Sequence, residues 1–118
     1  MLKHRILVCG GRNYADFDKF NSVMNYLKQW FDKDFCIIQG GARGADRLAA
    51  SWAFFEGCPM LEMRANWDYY GKKAGSIRNT WMLQYANPDL VIAFPGGTGT
   101  RNMLEQAKCW QIDTYKVE

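Results

Sequence analysis

Three apolar runs in this chain each end in a cluster of glycines, and that repeated unit constrains the fold more than any other feature. Ile6-Leu7-Val8-Cys9 runs into Gly10-Gly11-Arg12-Asn13. Phe35-Cys36-Ile37-Ile38-Gln39 runs into Gly40-Gly41-Ala42-Arg43-Gly44-Ala45-Asp46. Leu90-Val91-Ile92-Ala93-Phe94 runs into Pro95-Gly96-Gly97-Thr98-Gly99-Thr100. Short apolar runs bounded by turn residues read as buried strands. Stretches of helical period separate them, so the chain alternates strand and helix. That pattern builds βαβ units and a parallel sheet covered on both faces.

Strands are expected at Arg5–Cys9, Phe35–Gln39, Met60–Met63, Leu90–Phe94 and Thr114–Val117. A first helix starts near Asp16, where Asp16 or Asp18 can cap it. Its stripe of Phe17, Phe20, Met24, Leu27 and Phe31 has helical spacing and reads as core. Tyr26 and Trp30 flank the stripe, and Asp32-Lys33-Asp34 is the turn out. A second helix spans Gly44 to Glu56, with Ala45, Leu48, Ala49, Trp52 and Phe55 on one face, and Gly57 ends it. A third spans Ser76 to Tyr85, with Ile77, Trp81 and Tyr85 on one side and Asn87-Pro88-Asp89 as its stop. A fourth runs from Thr100 to Trp110. Residues 64–75 are aromatic, polar and broken by two glycines, and read as irregular.

Right-handed crossovers leave few topologies for five such strands. The order 3-2-1-4-5 sets strands one and four side by side at the switch point, where ligands bind outside the strand ends. All three glycine turns then line one crevice. The expected architecture is a single α/β domain over 1–118, three layers α/β/α with a five-stranded parallel sheet.

The length of 118 residues suits one core, and 48% hydrophobic with 23% charged residues is a globular balance. No apolar run is long enough to span a membrane. Met1-Leu2-Lys3-His4-Arg5 is basic, but the apolar run after it is too short for a signal segment. The chain therefore reads as cytoplasmic. A net charge of +3 is too small to argue for nucleic acid. Cys9, Cys36, Cys58 and Cys109 form no C-x-x-C pair, and His4 stands alone, so no metal site or cofactor is expected.

A strand, a Gly/Thr turn and a helix start form an anion site, because backbone N–H groups are free there and the helix dipole favours negative charge. Gly96, Gly97, Thr98, Gly99 and Thr100 are expected to cradle a phosphate. Gly10, Gly11 and Arg12 form a second wall, and Gly40, Gly41, Arg43, Gly44 and Asp46 a third. Arg78 and Arg101 also lie beside the turns, and arginine forks suit phosphate oxygens. The loop at Gly40 has no Gly-Lys-Ser/Thr ending, which excludes a Walker A motif. No turn has complete G-x-G-x-x-G spacing, which disfavours hydride transfer.

Trp67 and Tyr70 are candidates to stack on a base. Asp46 fits two roles: bonding ribose or acting as a general base, or complementing the dipole of its own helix. Asp68 is a second carboxylate that can share acid–base work with it.

Four ordered motifs resemble the YspA-like branch of the SLOG superfamily. They are Val8-Cys9-Gly10-Gly11-Arg12, Gly40 to Asp46, Gly75-Ser76-Ile77-Arg78-Asn79, and Phe94 to Thr100, with Asn66-Trp67-Asp68-Tyr69-Tyr70-Gly71 also matching. The resemblance implies a Rossmann-like fold and binding or processing of nucleotide-derived ligands. The superfamily includes the LOG-type phosphoribohydrolases and the DNA-processing protein DprA. LOG-type enzymes pair an arginine with a glutamate. Arg78 takes the arginine's position, with Asn79 in place of the Lys that follows it. Met103 takes the glutamate's position. Glu105 is two residues on, turned about 200° away on a helix.

Three readings follow. The first is a sensor or sequestering module for a nucleotide-derived molecule, ADP-ribose-like or a signalling nucleotide. The second is a nucleotide N-glycosidase with Arg78 on phosphate and Asp46 or Asp68 in acid–base roles. The third and weakest is single-stranded DNA binding. Tyr26, Trp30 and Trp110 exceed what one small core buries, which points to a homodimer or higher homo-oligomer.

Overall fold

Ile6, Leu7 and Val8 are completely buried, as a strand covered on both faces must be. They belong to β1 (His4–Cys9), the middle strand of a parallel sheet in a computed structural model that describes residues 4–31 and 34–118. The other strands are β2 (Phe35–Gln39), β3 (Met60–Glu62), β4 (Leu90–Ala93) and β5 (Asp113–Lys116). Their order is β3-β2-β1-β4-β5, as expected from the sequence. Ile6 is in register with Ile37 on one side and Leu90 on the other, and Val8 with Ile92.

Alternation along the strands splits the core into two layers. Ile6, Val8, Ile37 and Ile92 face α1 (Phe17–Phe31) and α2 (Ala45–Glu56). Leu7, Cys9, Ile38, Val91 and Ala93 face the other side, where Met82, Met103 and Ala107 cover them. Met82 begins the continuation of α4 (Ala74–Trp81), and Met103 and Ala107 belong to α5 (Thr98–Cys109). The arrangement is a three-layer α/β/α, Rossmann-like fold.

Several local expectations need correction. Residues 64–75 are not irregular throughout: Asn66 Oδ1 accepts the Tyr69 N–H at 3.1 Å and caps a short helix, α3 (Trp67–Tyr70). A 3₁₀ turn at Gly71–Lys73 then leads directly into α4. After α4 the chain widens into a π-helical turn at Met82–Ala86, which buries Met82 and Leu83 and leaves Tyr85 exposed. Phe55 is 84% exposed, because the buried stripe of α2 is Ala45, Ala49, Trp52 and Ala53, roughly a third of a turn away. Phe17 is likewise exposed, and Val23 joins the α1 core instead. Tyr26, Trp30 and Trp110 are all exposed. In the expected turn 32–34, Asp32 and Lys33 lie outside the described residues. No described helix is long and apolar enough to cross a membrane.

Candidate functional site

The carboxyl ends of β1, β2 and β4 lie side by side, and their glycine turns are bonded to one another. Gly11 N–H donates to the Pro95 carbonyl at 2.9 Å. The Gly11 carbonyl accepts from both Tyr14 N and Ala45 N at 3.2 Å, which ties the first turn to the start of α2. Gly44 caps α2 with φ of 75°, and a β-carbon there would collide with the Gly11 carbonyl. Only glycine meets both demands.

The β2 turn is held from below. Gln39 is fully buried; its Oε1 accepts the Gly41 N–H, and its Nε2 donates to Glu62 Oε1 at 2.7 Å. The bonds from Gln39 and Arg64 hold the Glu62 carboxyl below the usual range. On the other side of the same turn, Arg78 Nη1 donates to the Gly40 carbonyl at 2.7 Å. A β-carbon at Gly40 would run into Arg78 Nη1 and come within 3.0 Å of Asp46 Oδ2.

Asp46 is buried in the first turn of α2, and its Oδ2 accepts the Ala42 N–H at 3.2 Å. Burial raises its pKa; the Ala42 N–H and the Arg78 charge only partly offset this. Burial also lowers that of Arg78, against the pull of Asp46. Arg78 Nε donates to Asn79 Oδ1 at 3.0 Å. Asn79 Nδ2 donates onward to the Gly99 carbonyl at 3.2 Å and to Asn102 Oδ1 at 3.1 Å. Nη2 of Arg78 has no hydrogen-bond partner among the described residues.

These groups surround a cavity of about 480 Å³. Helix α5 starts at Thr98, two residues earlier than the sequence suggested, with Gly97 as its cap and no side chain capping it. The first intrahelical bond is Arg101 N–H to the Gly97 carbonyl, so the amides of Thr98, Gly99 and Thr100 precede the helical ladder. Those three residues and Gly97 line the cavity. So do Gly10, Gly11 and Arg12 from the first turn, Asp46 from α2, Trp67 from α3, and Arg78 and Asn79 from α4.

Other expected site residues lie behind or outside this wall. Gly40, Gly41 and Gly44 shape the β2 turn, and Gly96 packs against Gly11 N and the Thr100 hydroxyl. Arg43 and Asp68 are exposed and not on the cavity wall. Tyr70 packs edge-on against Trp81, ring centroids 5.7 Å apart, and is also off the wall.

Sequence reading missed seven lining residues: Cys9, Ala42, Lys72, Gly75, Ser76, Met82 and Asn102. Ser76 lay inside a recognised motif, and Cys9 ends an apolar strand, so both had a signal. Met82 and Asn102 had none beyond their helical spacing. Burial pushes the Cys9 thiol up to about 12, so it stays protonated and is no nucleophile. Met103, at the position of the LOG-type glutamate, is completely buried, while Glu105 is exposed. Among the described residues no group of three or more His, Cys, Asp and Glu could hold a metal ion.

The site's sequence has relatives. The sequence model of the YspA, cpYpsA-related SLOG family matches residues 4–70, a span with the β1 and β2 turns and Trp67. Gene 61 protein of Mycobacterium phage D29 is 36% identical over 115 residues, covering 88% of this chain and 88% of the phage protein. With the glycine turns gathered at the ends of β1, β2 and β4, and with these matches, the chain belongs to the YspA, cpYpsA-related SLOG family.

Proposed function

We propose that the protein binds a nucleotide-derived small molecule through its phosphate, as a sensor or sequestering module. One observation carries this reading. The Arg78 guanidinium, fixed by Gly40 and Asn79, opens on the same cavity as the first-turn amides of α5. Free amides, a helix dipole and a guanidinium together suit a phosphate group. Membership of the SLOG family supports a nucleotide-related ligand. An ADP-ribose-like molecule or a signalling nucleotide fits this description.

A second reading, nucleotide N-glycoside hydrolysis, is favoured by the raised pKa of Asp46 beside Arg78. A carboxyl shifted up by burial is a suitable general acid. Against it, the LOG-type glutamate position is held by Met103 inside the core.

Native mass spectrometry with a panel of nucleotides and ADP-ribose derivatives separates the two. A bound mass that stays intact over long incubation supports binding. Release of base and ribose phosphate, abolished in Asp46→Asn, supports hydrolysis. Failure of every phosphate-bearing compound to bind overturns both.

A further inference from the structure

The cavity has cations at both its inner wall and its mouth, but its carboxylate sits at only one of these. Arg78 and the α5 amides form the inner wall, with Asp46 close by. Arg12 and Lys72 are exposed residues of the lining and so mark its mouth. The ion pairs among the described residues are Arg5–Asp89, Lys28–Glu56 and Arg64–Glu62, and none involves a cation of the cavity. Asp46 is the sole acidic lining residue described, and it is turned to the Ala42 N–H.

Arg12 is held in place. Its guanidinium carbon lies 5.2 Å from the centroid of the Trp67 ring, in cation–π range. Trp67 in turn packs on the start of α4, where a β-carbon at Gly75 would lie 3.3 Å from the ring. The backbone just before Arg12 is fixed by the three hydrogen bonds of Gly11. The guanidinium occupies a ring face that the sequence suggested for a base, so Trp67 serves as a platform for the arginine. Like charges lining one cavity repel unless an anion lies among them. Consistent with this, Arg12's charge adds to the burial that lowers the Arg78 pKa.

We propose that Arg12 on its Trp67 platform, together with Lys72, forms a second anion subsite at the cavity mouth, so that the ligand is a nucleotide bearing a diphosphate. This rests on the reading of the inner wall as a phosphate site. The inner phosphate takes the α5 amides and Arg78, and the outer one takes Arg12 and Lys72.

The test is calorimetric titration with the 5′-monophosphates and 5′-diphosphates of the common ribonucleosides. At least one diphosphate binds about tenfold or more tightly than the monophosphate of the same base, the scale of one or more charge-assisted hydrogen bonds. The double variant Arg12→Ala, Lys72→Ala removes that preference: diphosphate affinity falls to that of the monophosphate, which still binds. Both side chains belong to exposed residues, and monophosphate binding reports an intact inner wall. Trp67→Leu also weakens the diphosphate more than the monophosphate, whereas a base-stacking Trp67 would weaken both series equally. Equal affinity for the two series, or variants that weaken both alike, overturns the second subsite and leaves the inner site standing. Absence of binding in both series overturns the inner site as well.

Discussion

Arg78 Nη1 and the Gly40 carbonyl oxygen are 2.7 Å apart although the residues are separated by 38 positions. This bond joins the β2 turn to α4, and Asn79 extends the link to Gly99 in the first turn of α5. Two walls of the cavity are therefore fixed through one guanidinium and one amide. Asn79 is nearly fully buried, so its polar atoms depend on these partners.

Asn79→Ala leaves Arg78 Nε and the Gly99 carbonyl each without this partner. The expected cost is about 2 kcal/mol of folding stability, read as a lower urea midpoint with unchanged slope. Nucleotide affinity falls as well, because Arg78 loses one of its two anchors. A variant with wild-type midpoint and wild-type affinity would show that the link is ornamental.

Gly40→Ala and Gly44→Ala should separate binding from stability. The added methyl at Gly40 meets the far end of Arg78, which can swing away. Stability falls by about 1 kcal/mol, but nucleotide affinity falls about tenfold or more as the guanidinium leaves its place. At Gly44 the methyl meets the Gly11 and Arg12 backbone, and φ of 75° strains any other residue. There the stability loss is the larger, about 2 kcal/mol or more. Thermal unfolding and titration of both variants check the ordering; equal losses in both measurements would contradict it.

The glycine turns could be read from the sequence because they rest on local pattern, the sheet order because right-handed crossovers leave few topologies, and the place of Arg78 because it lies in a motif beside the turns. Apolar runs fix strands, and Gly10, Gly40 and Gly96 mark where neighbouring atoms come too close for a β-carbon. The start of α5 could not, since Thr98-Gly99-Thr100 has low helix propensity and the turn forms through tertiary contacts. The Arg12–Trp67 pair was also hidden, because it brings together the β1 turn and a helix 55 positions later. Periodicity placed Phe55 in the core although it is exposed; a short amphipathic stretch does not say which of two neighbouring faces meets the sheet.

Asp46 gives a pH dependence of known sign. Burial raises its pKa above the ordinary 3.8. Below 3.8 the carboxyl is protonated in both folded and unfolded chains and costs nothing. As pH rises from 3.8 through the raised folded value, the unfolded state loses its proton first and the fold loses stability. Asp46→Asn removes this term. The urea midpoint of the variant relative to wild type should therefore increase with pH across that window and level off above it. A difference that stays flat or shrinks with pH would rule out the buried-carboxyl account.

Met103→Glu tests whether the missing LOG-type glutamate is what separates this chain from hydrolysis. Met103 is completely buried beside Leu7, Cys9 and Met82 on the α4–α5 side of the sheet. Those neighbours are apolar, so a carboxylate there loses most of its hydration on folding. The expected result is a loss of 3 kcal/mol or more, on the order of the largest single-substitution effects, with no gain of nucleotide cleavage. Circular dichroism melts give the stability, and chromatography of a nucleotide incubated with the variant gives the cleavage. Appearance of free base with a stable fold would instead mean that the wall behind α5 yields easily, and that one substitution divides binder from hydrolase.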